Sequence, residues 1–334
     1  MGISAKELAK QLGLSAAAVS LALNDKPGVS TLTRKRVIDA AKEQGFDFSR
    51  VRRKSSLRGR FAFVIYKKHG AVVSETSFFS ELTDGISLAC REYGFGLEIH
   101  YLLSGDRSAE ELSALAAQDV DGILLLATEM HAADVQALSC CSVPVVLLDT
   151  YFEGISQNYV LINNLQGAYI AANYLISKRK CQPGYLRSSY SIGNFDERAD
   201  GFYKAIRENG MSASKSIVHL LAPSVEGAYA DMLALLQAGE PVAKCYFADN
   251  DLIAAGAMRA FRACGYRIPE DVGFVGFDNT SLCELIEPPL TTINVPRQAM
   301  ARVAVERLIS LSTSGVKECT KTMIMTSLVK RASL

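Results

Sequence analysis

Residues 4–23 read SAKELAKQLGLSAAAVSLAL, and this stretch carries the signals of two short helices separated by a glycine. Ser4 and Glu7 have the spacing of a capping box, in which a hydroxyl and a carboxylate satisfy free N–H groups at a helix start. Gly13 is typical of a helix end, and Ser15 predicts the start of the second helix. Two short helices joined by a tight glycine turn predict a helix-turn-helix.

A third helix is expected to complete this N-terminal unit. After a turn-rich stretch, Val37, Ile38 and Ala41 recur at helical spacing, which predicts a helix from about residue 33 to 44. The sequence therefore predicts an all-α head over residues 1–48, with the architecture of a helix-turn-helix DNA-binding domain.

Charge separates this head from the rest of the chain. Residues 1–60 hold 13 Lys/Arg and 5 Asp/Glu, a net charge of +8, whereas residues 61–334 hold 23 and 30, a net charge of −7. A basic segment of this density is typical of proteins that contact a phosphate backbone. A solvated basic tail is the alternative, but a tail would not carry helix signals.

Residues 61–334 alternate apolar runs with amphipathic stretches. The predicted strands are 61–66, 97–102, 122–126, 145–148, 159–162, 184–187, 217–220, 244–247 and 272–277, and the first helices between them lie near 79–92, 109–117 and 132–138. Continuous apolar strands that alternate with helices predict doubly wound parallel sheets. Two such sets predict an α/β body of two lobes, with a ligand cleft at the carboxyl ends of the strands.

The chain resembles the lactose-repressor (LacI/GalR) family of bacterial transcription regulators from Ile3 to Leu334. The strings that carry the resemblance include VSLALN at 19–24, VDGI at 120–123, RADGF at 198–202, GFD at 276–278 and LVKR at 328–331. The resemblance implies two lobes of the periplasmic-binding-protein type, a homodimer, a pseudo-palindromic double-stranded DNA operator, and repression of carbohydrate-utilisation genes by means of a small-molecule effector.

The resemblance also implies how the chain is divided. Residues 49–60 would form a hinge, and residues 61–334 would bind the effector and dimerise. The chain would cross between the lobes, so that the first lobe holds about 61–160 and 290–320, and the second about 161–289 and 321–334.

Seven effector-binding residues follow from the resemblance. They are Phe78, Phe79, Asp149, Asn163, Arg198, Asn250 and Asp278. A sugar offers hydroxyls to carboxylates and to a guanidinium, and its C–H face packs on an aromatic ring. The alternative roles are structural: a helix cap for the aspartates, a surface ion pair for Arg198, and core packing for Phe79. Asn163 stands where many relatives carry Asp, and residues 220–222 are aliphatic, so we expect a carbohydrate-like effector rather than a flat purine.

The DNA contacts implied by the resemblance lie in the head and the hinge. They are Ser15, Ala16, Ala17, Ser20, Leu21, Thr33, Arg34, Arg52, Arg53 and Leu57. Ala16, Ala17 and Leu21 would face the base edges, where alanine can only touch a thymine methyl group. We therefore expect recognition to depend on DNA shape and phosphate contacts.

The hinge departs from the family spacing. Relatives insert a leucine into the minor groove, but the family spacing from Gly45 leads to Ser55, and Leu57 comes two residues later. Either the hinge is longer and Leu57 inserts, or the leucine wedge is absent and Arg52 and Arg53 bind a narrow minor groove. A flexible basic linker is the third possibility.

Other classes of protein are disfavoured. The sequence lacks a Gly-x-Gly-x-x-Gly string after the first strand, a P-loop and a nucleophile elbow, so no enzyme activity or cofactor is expected. Its four His lack metal-ligand spacing, and its eight Cys, without a CxxC pair, predict buried thiols. No apolar run is long enough for a membrane span and no signal peptide is recognisable, so we expect a cytoplasmic protein. Two alternatives remain: a solute-binding receptor without a DNA role, and a regulator co-repressed by a protein partner or a nucleobase.

Overall fold

The chain falls into two units, Met1–Arg58 and Gly59–Leu334. The computed structural model describes residues 3–23, 28–46, 57–70, 72–73, 77–105, 108–315 and 318–334. The boundary between the units falls within the stretch that the sequence predicts as a hinge.

The first unit is a three-helix head, formed by α1 (Ala5–Leu12), α2 (Ala16–Leu23) and α3 (Thr31–Glu43). The capping box of Ser4 and Glu7 is formed, and Gly13 ends α1 in the left-handed conformation, with φ of +65°. Ser15 Oγ accepts from the Ala18 N–H at 3.1 Å at the start of α2. α3 begins two residues earlier than predicted because Ser30 caps it.

The core of the head is small and formed by one face of each helix. Leu8, Val19 and Val37, one from each helix, are completely buried. Each has a second buried side chain beside it on its own helix, Ala9, Ala22 and Ala41 respectively, so each helix contributes an apolar face to the same core.

The second unit contains two six-stranded sheets. In chain order the strands are β1 (Arg60–Lys67), β2 (Gly96–Leu103), β3 (Gly122–Leu126), β4 (Val145–Leu148), β5 (Asn158–Ile162), β6 (Gly184–Ser188), β7 (Val218–Leu221), β8 (Cys245–Ala248), β9 (Gly273–Asp278), β10 (Thr291–Asn294), β11 (Lys321–Ile324) and β12 (Ser327–Val329). The first sheet has the order β11-β5-β4-β3-β1-β2, and the second has the order β12-β10-β9-β8-β6-β7. Among the described strands, every pairing is parallel except that of β12 with β10. The predicted pair of parallel sheets is confirmed.

Helices cover the sheets. They are α4 (Phe78–Tyr93), α5 (Ser108–Ala116), α6 (Asn164–Arg179), α7 (Gly193–Glu208), α8 (Val225–Gln237), α9 (Asp251–Ala263), α10 (Leu282–Leu285) and α11 (Arg297–Ser314). α4 and α11 pack on each other and on the first sheet, whereas α6 and α9 pack on the second. The central strands are accordingly buried throughout, as their continuous apolar runs predict.

The chain crosses between the lobes after β5, after β10 and after β11. The first lobe therefore holds residues 59–162 and 296–324, and the second holds 163–295 and 325–334. The predicted borders at 290 and 321 are wrong by a few residues. Thr291 pairs with Val275 of the second sheet, and Lys321 pairs with Tyr159 of the first.

The helical stretch predicted near 132–138 is present in the connection between β3 and β4. Ala132–Cys140 is a 3₁₀ helix, a form common in short connectors. Its first turn is held by Asp134, whose carboxylate accepts from the His131 N–H at 2.8 Å. Within the described ranges, no helix combines the length and the apolar character needed to cross a membrane.

Candidate functional site

A small cavity lies between the carboxyl ends of strands from both lobes. Six of the seven predicted effector residues line it: Phe78, Phe79, Asp149, Arg198, Asn250 and Asp278. The cavity has a volume of about 20 Å³, which is room for about one water molecule. The side chains that the sequence predicts as one site are thus brought together, although they lie up to 200 residues apart in the chain.

Asn163 does not line this cavity. It directly follows β5 and is the N-cap of α6, where its Oδ1 accepts from the Gln166 N–H at 3.0 Å. Its Nδ2 lies 3.8 Å from the Met325 sulfur, beside the crossing between β11 and β12. The side chain is occupied by the helix start, because free N–H groups there favour an Asn cap.

Asp149 directly follows β4 and carries an unpaired buried oxygen. Its Oδ2 accepts from Thr128 Oγ1 at 2.7 Å, whereas its Oδ1 has no hydrogen-bond partner among the described residues. The residue is 2% exposed and holds a φ of +68°, which is uncommon outside glycine. Burial raises the pKa of its carboxyl to about 6, although the Thr128 bond, the Arg198 charge and the nearby Asn194 side chain oppose the shift. An unpaired buried acceptor is costly, so this oxygen favours an incoming donor.

Arg198 is buried and bonded on three sides. Its Nε donates to Asn164 Oδ1 at 2.9 Å, and its Nη1 donates to the Asp249 carbonyl. Its Nη2 lies 3.4 Å from Asp278 Oδ1, and the guanidinium lies 3.7 Å from the centre of the Phe277 ring. The alternative of a surface ion pair is therefore wrong.

Asp278 and Asn250 come from strand ends of the second lobe. Asp278 closes β9 with a φ of +111°, and burial raises the pKa of its carboxyl to about 7 against the opposing charge of Arg198. Asn250 precedes α9, and its Oδ1 accepts from the Ile253 N–H at 2.9 Å. Asn250 thus combines the predicted position in the cavity wall with a structural role as a helix cap.

Phe78 and Phe79 begin α4 and form the aromatic side of the cavity. Their rings meet edge to face with centroids 5.0 Å apart, and both belong to the core of the body. Phe79 therefore packs in the core, as the structural alternative predicts, and it also lines the cavity.

Sequence reasoning missed two polar residues of the cavity wall, Thr128 and Asn194. Thr128 follows the carboxyl end of β3, at the same sheet edge as Asp149, so the rule for strand ends could have found it. Asn194 lies one helical turn before Arg198 on α7, so helical spacing could have found it.

A third missed residue, Asp249, stands behind the cavity. Its carboxylate accepts from the Tyr185 hydroxyl and, at 2.7 Å, from the Ser188 N–H. Burial raises the pKa of this carboxyl to about 6. Because the Asp249 carbonyl also accepts from Arg198, this residue helps to fix the guanidinium.

The predicted DNA contacts of the head lie along α2, including its N-cap, and in the first turn of α3. Ala16, Ala17 and Ser20 are exposed on α2, and Leu21 is half-buried. Ser15 is occupied as the α2 cap, and Thr33 Oγ1 lies 2.8 Å from Ser30 Oγ. The exposed alanines thus form an apolar helix surface.

The remaining predicted contacts belong to α3 and the hinge. Arg34 is half-buried in the first turn of α3, and Leu57 is exposed. The predictions for Arg52, Arg53 and Ser55 concern positions outside the described residues.

In the part of the chain that the structure describes, no group of three His, Cys, Asp or Glu side chains could hold a metal ion.

The prediction that the thiols are buried is wrong for Cys264 and Cys319, which are exposed. Cys264 directly follows α9 and Cys319 lies just before β11, so both occupy surface connections.

Comparison with known proteins agrees with this architecture. Residues 4–47 match the family model for bacterial regulatory proteins of the lacI family, and residues 172–334 match the periplasmic binding protein-like domain. The HTH-type transcriptional repressor PurR of Mannheimia succiniciproducens is 30% identical over 310 residues, covering 92% of this chain and 90% of the relative.

Solved structures share the whole fold. A complex of the transcriptional regulator CelR with cellobiose is 27% identical, with a TM-score of 0.73 and 99% of both chains covered. The Lac repressor dimer bound to operator and an anti-inducer has a TM-score of 0.72 at 22% identity, with 100% of this chain and 99% of that chain covered, and supports the fold alone. This chain therefore belongs to the lacI family of bacterial regulatory proteins and is a DNA-binding transcription regulator.

Proposed function

We propose that this regulator is a repressor of carbohydrate-utilisation genes whose effector is a small sugar-like molecule bound between the lobes. The observation that carries the proposal is the unpaired, buried Oδ1 of Asp149 in a cavity that also presents Arg198 and Asp278. An acceptor without a donor favours a ligand that brings hydroxyl groups. A related regulator, CelR, is known in complex with cellobiose.

The cavity offers the complementary chemistry for a sugar. Asp149 can accept from a hydroxyl, the Arg198 guanidinium can donate to one, and the Phe78 and Phe79 rings can pack against a C–H face. A volume of about 20 Å³ is far below that of a sugar, so binding requires the lobes or the lining side chains to move apart. A ligand that changes the preferred lobe arrangement can alter the spacing of two DNA-binding heads.

A homodimer is supported by two exposed apolar surfaces of the body. On the edge strand β2, every second residue from Ile99 to Leu103 lies on the same face of the sheet, and the Tyr101 side chain there is 65% exposed. On the second lobe, a groove of about 490 Å³ is lined by residues of α9 and α10, and the adjacent Leu285 is 81% exposed. Exposed apolar surfaces of this kind are typical of protein interfaces. Two heads related by a two-fold axis would bind a pseudo-palindromic operator.

We infer the role and the location of the whole chain from its membership of a family of transcription regulators. The relatives found in the comparisons are transcription regulators, and we propose that this chain likewise has no catalytic role. Its operator would lie on cytoplasmic DNA, so we propose a cytoplasmic location.

Two measurements on the full chain test the proposal. Selection from random duplex DNA should enrich a pseudo-palindrome, and enrichment of no sequence would contradict the role as a sequence-specific repressor. Titration calorimetry with mono- and disaccharides, cellobiose included, should find a ligand whose affinity is lost in Asp149→Asn. Binding of a nucleobase instead of any sugar would overturn the effector class and leave the DNA role intact.

A further inference from the structure

Arg297 lies where the chain passes from the second lobe into the first. It is the first residue of α11, three positions after the end of β10, and its side chain is 12% exposed. Its Nε and Nη2 atoms lie 2.8 and 2.7 Å from Glu81 Oε2, in the first turn of α4. The guanidinium is thus tied to the first lobe by a charged pair.

The same guanidinium also binds the second lobe. Its Nη1 donates to the Asp278 carbonyl at 2.6 Å, and its Nη2 donates to the Asn279 carbonyl at 3.1 Å. One side chain therefore holds a carboxylate of one lobe and two backbone carbonyls of the other. A planar guanidinium with five donors suits this arrangement, which a lysine ammonium cannot reproduce.

The backbone that Arg297 holds has an unusual conformation. Asp278 and Asn279 have φ values of +111° and +56° in succession. Non-glycine residues persist in such conformations only where surrounding bonds fix them. The Asn279 side chain is fixed separately, by hydrogen bonds with Asn294 and Arg331 at 2.9 Å each. The bonds from Arg297 fix the backbone carbonyls of Asp278 and Asn279.

Both ends of this contact reach the wall of the cavity. On the second lobe, Asp278 itself lines the cavity and faces Arg198. On the first lobe, Glu81 lies one helical turn from Phe78, whose ring centre is 5.7 Å from the Arg297 guanidinium. The contact therefore joins the aromatic wall to the acidic wall.

We propose that Arg297 is a positioning residue that couples the two walls of the cavity. A displacement of Asp278 would be transmitted through Arg297 and Glu81 to α4, and a displacement of α4 would be transmitted along the same contacts to Asp278. A ligand that moved either wall would then change the arrangement of both lobes. The role in signalling rests on the proposed effector site, whereas the coupling itself is a property of the ligand-free protein and can be tested without a ligand.

Hydrogen exchange of the full chain, measured by mass spectrometry without ligand, provides the test. Glu81→Gln alters only the first lobe, yet we expect hydrogen exchange in peptides covering 278–283 of the second lobe to rise about tenfold. The Thr280 N–H donates to Asp251 Oδ2 and the Cys283 N–H donates to the Thr280 carbonyl, so both amides are protected while this segment is held in place. Arg297→Gln should give at least the same increase. The double variant should match Arg297→Gln alone, because both substitutions remove one shared contact.

A second ion pair between the same two helices is the matched control. Arg302 and Glu92 also join α11 to α4, at 2.8 Å, but they do not line the cavity. Glu92→Gln should leave exchange at 278–283 as in the wild type. If Glu81→Gln speeds exchange only in α4, or if Glu92→Gln has the same effect at 278–283, the proposed coupling is wrong.

The two proposals can fail separately. If no sugar binds but Glu81→Gln still speeds exchange at 278–283, the effector class is wrong and the coupling stands. If a sugar binds through Asp149 while Glu81→Gln leaves exchange at 278–283 unchanged, the coupling is wrong and the effector site stands.

Discussion

Replacing Asp149 by asparagine should flatten the pH dependence of stability by a predictable amount. The substitution keeps the size of the side chain and an oxygen that can accept from Thr128, but it removes the titrating carboxyl. Burial raises the pKa of this carboxyl from 3.8 to about 6 in the folded protein. The folded state therefore holds the proton more tightly than the unfolded chain does, and the free energy of unfolding falls as pH rises.

The magnitude follows from the two pKa values. Between pH 5 and pH 8, the proton is lost from the folded carboxyl, while the unfolded carboxyl is ionised throughout. The expected loss of stability over this window is about 1.4 kcal/mol for this one group. Asp249 and Asp278 also titrate with raised pKa values, but they are present in both proteins. Because the Asp149 charge also raises the pKa of Asp278, the difference between wild type and Asp149→Asn contains the titration of Asp149 and a smaller contribution from Asp278 in the same direction.

Urea unfolding followed by far-ultraviolet circular dichroism at pH 5, 6, 7 and 8 measures this difference. Asp271→Asn is a suitable control, because an exposed hydrogen bond with Arg267 lowers the pKa of the Asp271 carboxyl to about 2, outside the window. This control should keep the wild-type slope. If Asp149→Asn keeps it as well, burial does not raise the pKa of the Asp149 carboxyl, and the main support for a donor-rich effector is lost.

The remaining predictions concern the effector, the operator, the dimer and the head. Arg198→Lys should weaken sugar binding by about 2 kcal/mol in calorimetry, because one ammonium cannot replace a guanidinium bonded on three sides, while operator affinity without sugar stays near wild type. Alanine at residues 52–54 together should reduce the slope of log affinity against log salt by about two to three units in operator titrations, at ~0.9 per phosphate contact. Leu285→Glu should shift sedimentation towards the monomer without unfolding the chain, since this side chain is exposed in the single chain. Ser15→Ala should lower the unfolding free energy of the head by about 1 kcal/mol in thermal melts, because it removes the N-cap of α2.

Local signals in the sequence predicted most of the fold. The capping box at Ser4 and the cap at Ser15 depend on residues within one helical turn, so they could be read directly. The apolar runs of the central strands also needed no distant partner to be recognised. The lobe borders were different, because β10 and β11 are only four residues long and their sheet is decided by pairing with strands far away in the chain. Pairing of this kind leaves no local pattern.

The candidate site shows the same division. A polar residue directly after an apolar strand marks a sheet edge, and this rule applies equally to Asp149, Asp278 and Asn163. Only the structure shows that the Asn163 oxygen is used by the start of α6, whereas one Asp149 oxygen is left unpaired. Glu81 and Arg297 are 216 residues apart, so their contact across the lobe crossing could not be predicted from spacing.

The electrostatics of the cavity favour a ligand without charge. Asp149, Asp249 and Asp278 are all buried near the Arg198 guanidinium, and burial raises the pKa of each. Arg198 lies beside Asp278 and also donates to neutral oxygens of Asn164 and Asp249. A further negative charge would add repulsion in a desolvated site, whereas a neutral hydroxyl can donate to Asp149 without adding charge. The cavity therefore favours uncharged, hydroxyl-rich ligands over acids. This preference depends on the number of carboxyl groups buried near Arg198 rather than on any one contact.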